Sequence, residues 1–363
     1  MRKLGLVSVA MAAIALASCG KGSEPGSGAG ASGAAVAPAS EDLMKTAREQ
    51  FKAIPASYRD EPGNPATEAQ IDLGNMLYHD PRLSGSHALA CASCHNIGLG
   101  GGDDASTSIG HKWQQGGRNA PTVLNAVFNT AQFWDGRARD LTEQAGGPIA
   151  NPIEMASLPE HVPQQLKSIP GYPPLFAKAF PGERDPVSFA NAQKAIAAFE
   201  TTLITPNSPF DKYLSGDAGA LSAEQKDGLR LFIDKGCAAC HNGINVGGGM
   251  YAKFGVAAAP ASKFRPAGDK GREGVTHDVS DEYSFKVPTL RNIALTAPYF
   301  HTGSVWDLKE AVRVMGSAQL GQKLSDADVD KIAAFLGALT GEQPKVLVPI
   351  LPPSGPDTSR PER

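Results

Sequence analysis

Residues 91–95 read CASCH, and residues 237–241 read CAACH. In each stretch two cysteines and a histidine fall at positions i, i+3 and i+4, which share one face of a helical turn. Cysteines at this spacing can form thioethers with the two vinyl groups of one porphyrin while the histidine nitrogen binds the iron. The two stretches contain every cysteine after Cys19. They predict two covalently attached c-type haems, with His95 and His241 as iron ligands.

Other uses of a cysteine pair fit this pattern less well. A disulfide redox centre would not need the histidine that follows each pair, and a zinc site would need further Cys or His ligands at short spacing. Thioether attachment of haem is therefore the interpretation that the spacing favours. The predicted attachment residues are Cys91, Cys94, Cys237 and Cys240.

The sequence before each attachment stretch repeats. TEAQIDLGNMLYHD (67–80) and SAEQKDGLRLFID (222–234) both begin with a capping-box pattern. Both then carry Gly, Leu, an aromatic residue and Asp at matching spacing. The repeat predicts a mainly α-helical protein of two cytochrome-c-like domains, each with one covalently bound haem. We expect the N-terminal domain at residues 46–205 and the C-terminal domain, with a C-terminal tail, at residues 206–363.

Composition and charge exclude some classes of protein. The chain has 363 residues, of which 41% are hydrophobic, so it can bury a sizeable core. Its formal net charge is −3, with no basic run beyond the N-terminus. Nucleic acid is therefore not an expected partner.

The N-terminus has the features of an export signal. A basic start and an apolar run predict a signal peptide at residues 1–18. The small residues before Cys19 resemble a bacterial lipobox, which predicts that Cys19 is a lipid anchor; the alternative is an ordinary secretory signal with an incidental cysteine. Residues 19–45 are rich in Gly, Ala, Ser and Pro and predict a flexible linker. The expected location is the periplasm, with contact to a membrane only through the lipid.

The second axial ligand decides what each haem does. Met315 precedes SDADVDKIAAFLGALTG (325–341), an amphipathic helix pattern, and we expect it on a loop that supplies the second ligand of the C-terminal haem. Plain core packing is the alternative for Met315, and Met250 is the competing methionine. A His/Met haem has a raised reduction potential and no open site, so it would carry electrons.

For the N-terminal haem the candidate second ligand is His111. Glycines flank it on both sides, at 98, 100–102, 110 and 116–117. Such a segment changes its backbone angles at low cost. We expect a loosely held ligand that leaves the iron in one state, while a simple exposed loop histidine is the alternative reading.

Residues 110–155 and 285–312 resemble the bacterial di-haem cytochrome c peroxidases, and the resemblance extends over residues 46–354. It implies an N-terminal peroxidatic haem with His95 and His111 as ligands, and a high-potential C-terminal haem with His241 and Met315. It implies that the enzyme reduces hydrogen peroxide with electrons from a small monohaem cytochrome c or cupredoxin. Dimers are common in the family.

The resemblance also implies roles for residues outside the haem ligands. Glu154 in NPIEM matches the distal acid–base residue, and Gln144 its hydrogen-bonding companion. Trp134 matches the tryptophan on the electron path between the haems. The implied calcium site consists of Asn119 with the backbone carbonyls of Thr296 and Pro298.

Two alternative functions stay open at this point. Related di-haem enzymes that oxidise protein tryptophan carry tyrosine where this chain has Met315, which argues against that activity. A non-enzymatic di-haem electron carrier would not need Glu154 and Gln144.

Overall fold

The structure, a computed structural model, describes residues 38–61 and 63–361. The prediction of a mainly α-helical protein is confirmed. In the described residues the helices are accompanied only by short two-stranded sheets. The α-helices are α1 (Pro38–Gln50), α2 (Glu68–His79), α3 (Cys91–Cys94), α4 (Leu141–Ala150), α5 (His161–Lys167), α6 (Tyr172–Ala179), α7 (Phe189–Glu200), α8 (Pro209–Leu214), α9 (Ala223–Asp234), α10 (Glu273–Thr276), α11 (Leu308–Leu320) and α12 (Asp326–Gly337). The strands are β1 (Asp60–Glu61), β2 (Asn64–Pro65), β3 (Tyr251–Lys253) and β4 (Ser284–Lys286), paired antiparallel as β1–β2 and β3–β4.

The two helices that precede the attachment stretches begin as the sequence predicts. At α2 the Thr67 hydroxyl accepts a hydrogen bond from the Gln70 backbone N–H at 3.3 Å, and the Gln70 side chain accepts one from the Thr67 N–H at 3.0 Å. Ser222 and Gln225 make the same reciprocal pair at α9, at 3.1 and 2.9 Å. Both predicted capping boxes are therefore confirmed.

A repeated glycine brings a second helix against each of these two. A Cβ on Gly74 of α2 would lie 1.9 Å from the Ala195 carbonyl oxygen of α7. A Cβ on Gly228 of α9 would lie 1.9 Å from the Lys331 carbonyl oxygen of α12. Only a residue without a Cβ permits such a close approach of two helices. The same helix crossing thus builds both halves of the protein.

Each crossing is the centre of a hydrophobic core. The first core includes Leu77, Tyr172 and Ile196, and the second includes Phe232 and Phe335. The amphipathic pattern predicted near the C-terminus is confirmed, because α12 buries its apolar face. The buried residues of that face are Val329, Ile332, Phe335 and Leu336, with Leu339 just beyond the helix.

The N-terminal helix α1 packs in the second core, and the C-terminal tail packs on the first half of the protein. Leu43 and Phe51 lie in the second core, where the Phe51 ring meets Phe210 edge-on at 5.3 Å. The prediction of a flexible linker over 19–45 is therefore wrong for residues 38–45, which form the start of α1. Burial of the apolar face of α1 explains its helical order.

The C-terminal tail, in turn, lies against residues of the first half of the protein. The Leu347 carbonyl oxygen accepts a hydrogen bond from Asn75 at 3.1 Å, and the Thr358 hydroxyl donates to the Ser168 carbonyl oxygen at 2.9 Å. The segment around Phe51 thus packs in the second core and the tail lies on the first, while the domain boundaries at 46 and 206 stay a prediction.

The predicted signal peptide (1–18), Cys19 and residues 20–37 lie outside the described residues. Within the described residues no helix is both long and apolar enough to cross a membrane.

Candidate active site

The CASCH stretch opens onto a cavity of about 370 Å³. Cys91 and Cys94 lie on the single turn α3, and His95 follows it. Glu154 and Gln144 line the same cavity. Their positions follow from α4, which carries Gln144 and ends just before the turn that holds Glu154.

The surroundings of Glu154 favour a carboxyl group that exchanges a proton. Burial raises its pKa, while Arg137 and a hydrogen bond from Asn151 oppose the shift. That bond runs from Asn151 Nδ2 to Glu154 Oε1 at 2.7 Å and fixes the carboxyl group. Gln144 makes no side-chain hydrogen bond within the described chain, so its amide is free to bind a ligand. Asn151 was not among the site residues predicted from the sequence, although it lies only three residues before Glu154.

A second carboxyl group in this cavity was also missed. Glu200, at the end of α7, is only 5% exposed and lines the cavity. Burial raises its pKa to about 8, and the nearby Glu61 adds to the shift. Glu61 itself accepts hydrogen bonds from the Leu141 N–H at 2.7 Å and the Thr142 hydroxyl at 2.9 Å. Glu200 thus adds to this cavity a second carboxyl group whose pKa burial raises above its usual range.

His111 is buried rather than loosely exposed. It is 6% exposed, and its N–H donates to the carbonyl oxygens of Ile153 at 3.0 Å and Glu154 at 2.8 Å. A Cβ on Gly110 would lie 2.1 Å from the Ile153 carbonyl oxygen, so that glycine permits close packing as well as rotation. The prediction of a loosely held histidine is wrong for this conformation. His111 is not among the described residues that line either haem cavity, and its role as an iron ligand stays a prediction.

The CAACH stretch opens onto a second cavity, of about 240 Å³. Cys237, Cys240, His241 and Met315 all line it. Met315 lies inside α11 and not on a loop, so that part of the prediction is wrong. Met250 is 39% exposed and does not line this cavity among the described residues.

Both cavities fit a covalently attached haem. The four cysteines are free of disulfides and border the cavities in pairs. Burial lowers the pKa of His241 to about 4 and lowers that of His95 as well, which keeps both imidazoles neutral as metal ligands require. The Nδ1 atoms of both rings are buried without a hydrogen-bond partner in the described residues. Residue type, protonation and space therefore all suit haem c.

Trp134 lies where the two cavities meet, since it lines both. Its Nε1–H donates to the Asn119 carbonyl oxygen at 2.9 Å. Its own carbonyl oxygen accepts a hydrogen bond from the Lys286 N–H at 2.7 Å, and its ring meets His301 at 6.2 Å. The indole is thus held from both halves of the protein.

The predicted calcium residues also lie near one another. Asn119, Thr296 and Pro298 line the C-terminal cavity. Asn119 Nδ2 donates to the Ala105 carbonyl oxygen at 2.9 Å, which turns the amide and leaves Oδ1 without a donor from the described residues. The described residues hold no cluster of three or more His, Cys, Asp or Glu side chains suited to a metal. A cation here would depend on amide and carbonyl oxygens, which calcium accepts.

This fold and these cavities define a class: a c-type cytochrome with two haem-attachment stretches, each opening onto its own cavity. Family models match twice, as di-haem cytochrome c peroxidase over residues 68–219 and as cytochrome c over residues 225–340.

Relatives with known names extend the match along the chain. The chain is 56% identical to cytochrome c551 peroxidase of Pseudomonas aeruginosa, over 88% of this chain and 92% of that one. It is 52% identical to cytochrome c551 peroxidase of Nitrosomonas europaea, over 82% and 87%. A solved structure of a MauG-like protein associated with microbial copper homeostasis is similar at a TM-score of 0.70 and 29% identity, covering 86% of this chain and 98% of that one. The chain belongs to the bacterial di-haem cytochrome c peroxidase family and is an oxidoreductase that carries haem c.

Proposed function

We propose that this protein reduces one hydrogen peroxide to two waters, using two protons and two electrons that a small redox protein delivers one at a time. The observation that carries the proposal is the pair Glu154 and Gln144 in the CASCH cavity, with the pKa of Glu154 raised by burial. Met315 is among the residues that line the CAACH cavity, and Glu154 and Gln144 are not.

The proton chemistry falls to Glu154. The N-terminal haem supplies the redox centre for cleavage of the O–O bond. The Glu154 carboxylate accepts a proton from one peroxide oxygen and returns it to the other, which leaves as water. Asn151 holds the carboxyl group by its 2.7 Å hydrogen bond, so the acceptor oxygen is positioned before peroxide arrives. Gln144 orients peroxide by hydrogen bonds and does not compete for the proton, because an amide does not titrate.

His241 and Met315 would hold the C-terminal haem, which would supply the entry point for electrons. The donor is a monohaem cytochrome c or a cupredoxin, bound through the small interface usual for redox encounters. Trp134 supports transfer from this haem to the N-terminal one, because its indole borders both cavities.

A calcium ion and His111 regulate access to the N-terminal haem. Asn119 Oδ1 and the carbonyls of Thr296 and Pro298 would hold calcium, with water as further ligands. In the fully oxidised protein His111 would be a ligand of the N-terminal haem and so would exclude peroxide. In the other state His111 would pack against the Glu154 turn, as its N–H does here.

Two other functions receive less support. A plain electron carrier does not account for a buried acid and a free amide in one haem cavity. A tryptophan-oxidising enzyme is disfavoured by Met315, which lines the cavity where those relatives carry tyrosine.

The predicted export signal supports a periplasmic location for the proposed activity. Cys19 would tether the chain to a membrane through a lipid, and a homodimer, common in the family, is one assembly open to the protein. Mass spectrometry of the exported protein tests acylation of Cys19 directly.

Substitution of Glu154 tests the proposed function. In Glu154→Gln we expect both haems and their ligation to remain and peroxide turnover to fall by about 10²-fold or more, the scale of general acid–base catalysis. Stopped-flow oxidation of a reduced monohaem cytochrome c by peroxide measures this. The control is Glu160→Gln, an exposed carboxylate six residues along the chain. Near-normal turnover in Glu154→Gln, equal to the control, would remove Glu154 from the mechanism.

A further inference from the structure

Lys286 is a buried cation without a partner among the described residues. It ends strand β4, where every residue is buried, and it is 7% exposed. Its backbone N–H donates to the Trp134 carbonyl oxygen at 2.7 Å, which fixes the main chain beside the indole. Its Nζ makes no hydrogen bond or ion pair with any residue in the described part of the chain.

The other cations around this region differ from Lys286 in having carboxylate partners. Arg118 contacts Asp135 at 2.7 Å and Asp269 at 2.6 Å. Arg272 lies 3.6 Å from Asp281. Burying an ammonium group without an anion is costly, so a buried lysine normally has a partner or loses its proton. Burial lowers the pKa of Lys286 only to about 8, which leaves the ammonium form dominant at pH 7.

The cavity that Lys286 lines contains no carboxylate able to pair with it. The other titratable groups on this cavity are Asp103, Asp104, Cys237, Cys240, His241, Tyr299 and His301. The two aspartates are not within ion-pair distance of Lys286, and burial alone accounts for the shift of its pKa. His301 is 2% exposed, and its Nε2 has no hydrogen-bond partner in the described residues. The carboxylate oxygen of Asp269 lies 3.8 Å from His301 Nε2, beyond hydrogen-bond distance. The cavity thus has two donors that no acceptor among the described residues reaches by a hydrogen bond.

A c-type haem brings the missing acceptor, because its porphyrin carries two carboxylates in addition to the vinyl carbons that become thioethers. We propose that Lys286 binds a carboxylate of the C-terminal haem as an ion pair, with His301 as a second hydrogen-bond donor at the same edge. This assignment is independent of the peroxidase reaction and concerns how the haem is held beside Trp134.

The ion pair has a consequence for the reduction potential. Without the lysine cation, an uncompensated haem carboxylate would favour the ferric over the ferrous iron. We expect Lys286→Gln to lower the ratio of reduced to oxidised C-terminal haem at a fixed ambient potential by about tenfold. For a one-electron couple that is a midpoint lower by about 59 mV. Lys286→Arg, which keeps the cation, should restore most of the ratio.

Potentiometric titration of the holoprotein, followed in the visible spectrum, measures this shift. The control is Lys253→Gln, which removes the same charge from an exposed residue on the paired strand β3. A midpoint in Lys286→Gln equal to that of the control would overturn the proposal and leave Lys286 as a lysine hydrated by buried water.

A second measurement covers the case in which Lys286→Gln does not assemble with haem. Resonance Raman spectra of the wild type and Lys286→Arg report the bending mode of the haem carboxylate directly. The proposal expects this mode to shift between the two proteins, since the hydrogen bonds to the carboxylate change. An identical mode in both proteins would count against the contact.

Discussion

Single residues in the two cavities differ in the chemistry that their surroundings allow. Glu154 and Glu200 line the same cavity, yet Glu154 accepts a hydrogen bond from Asn151 while Glu200 is buried near Glu61. In the C-terminal cavity Met315 and His241 are both among the lining residues. Protonation and ligation in each cavity are thus set by a few immediate neighbours.

Replacement of Met315 tests the assignment of the C-terminal haem. Met315→His should lower the midpoint potential of that haem by about 100 mV or more, because imidazole nitrogen favours ferric iron more than thioether sulfur does. Potentiometric titration measures the change. Met250→His is the control, since Met250 is 39% exposed, and its potential should stay at the wild-type value. If Met250→His lowers the midpoint potential and Met315→His leaves it unchanged, Met250 is the ligand.

At the scale of elements, the helix crossings depend on glycine. α9 approaches α12 so closely at Gly228 that a methyl group there would overlap the Lys331 carbonyl oxygen. We expect Gly228→Ala to lower the free energy of unfolding by about 1–3 kcal/mol, the usual cost of overpacking. Denaturant titration followed by circular dichroism measures it.

Gly337→Ala is the matched control for that substitution. A Cβ on Gly337, in the last turn of α12, would have no neighbour within 4 Å, so this variant should be neutral or slightly stabilised. Equal stability of the two variants would show that α9 and α12 can separate without cost.

The segment around His111 is the second element with a testable role. His111→Gly should give an N-terminal haem that accepts peroxide without prior reduction of the other haem, because the group that excludes peroxide is gone. Electron paramagnetic resonance of the oxidised protein and turnover from the oxidised state measure this. The control is His277→Gly, an exposed histidine with a left-handed backbone that glycine adopts readily. An oxidised wild type that is already five-coordinate at this haem would refute the switch and leave the peroxidase proposal intact.

At the scale of the molecule, the two halves are connected by the exchange of their terminal segments. α1 packs in the second core, and the tail after α12 covers the first. Deleting residues 345–363 should therefore destabilise the half that carries the CASCH cavity, by about 2 kcal/mol for the loss of several net hydrogen bonds. The lost bonds include those of Asn75 to Leu347 and of Thr358 to Ser168.

Differential scanning calorimetry of the holoprotein measures the effect of the deletion. A control deletion of residues 361–363 leaves those bonds in place and should unfold at the wild-type temperature. Unchanged unfolding of the longer deletion would show that the tail lies on the first core without stabilising it.

The sequence by itself determined the features that depend on local spacing. The attachment stretches, the capping boxes at Thr67 and Ser222 and the buried face of α12 all follow from residues within a few turns of one another. The match of Gly74 with Gly228 was also visible in the sequence. The close helix contact that requires both glycines was not, since the partner residues lie about a hundred positions away.

Only the tertiary structure decided the features that depend on burial and on distant partners. Met315 lies in a helix, His111 is buried, and α1 extends into the predicted linker. Glu200 and Lys286 resemble any other charged residue in the sequence. Their altered pKa values arise because the fold removes them from water without supplying a full set of hydrogen-bond partners, and such desolvation is a property of the packed chain rather than of any local stretch.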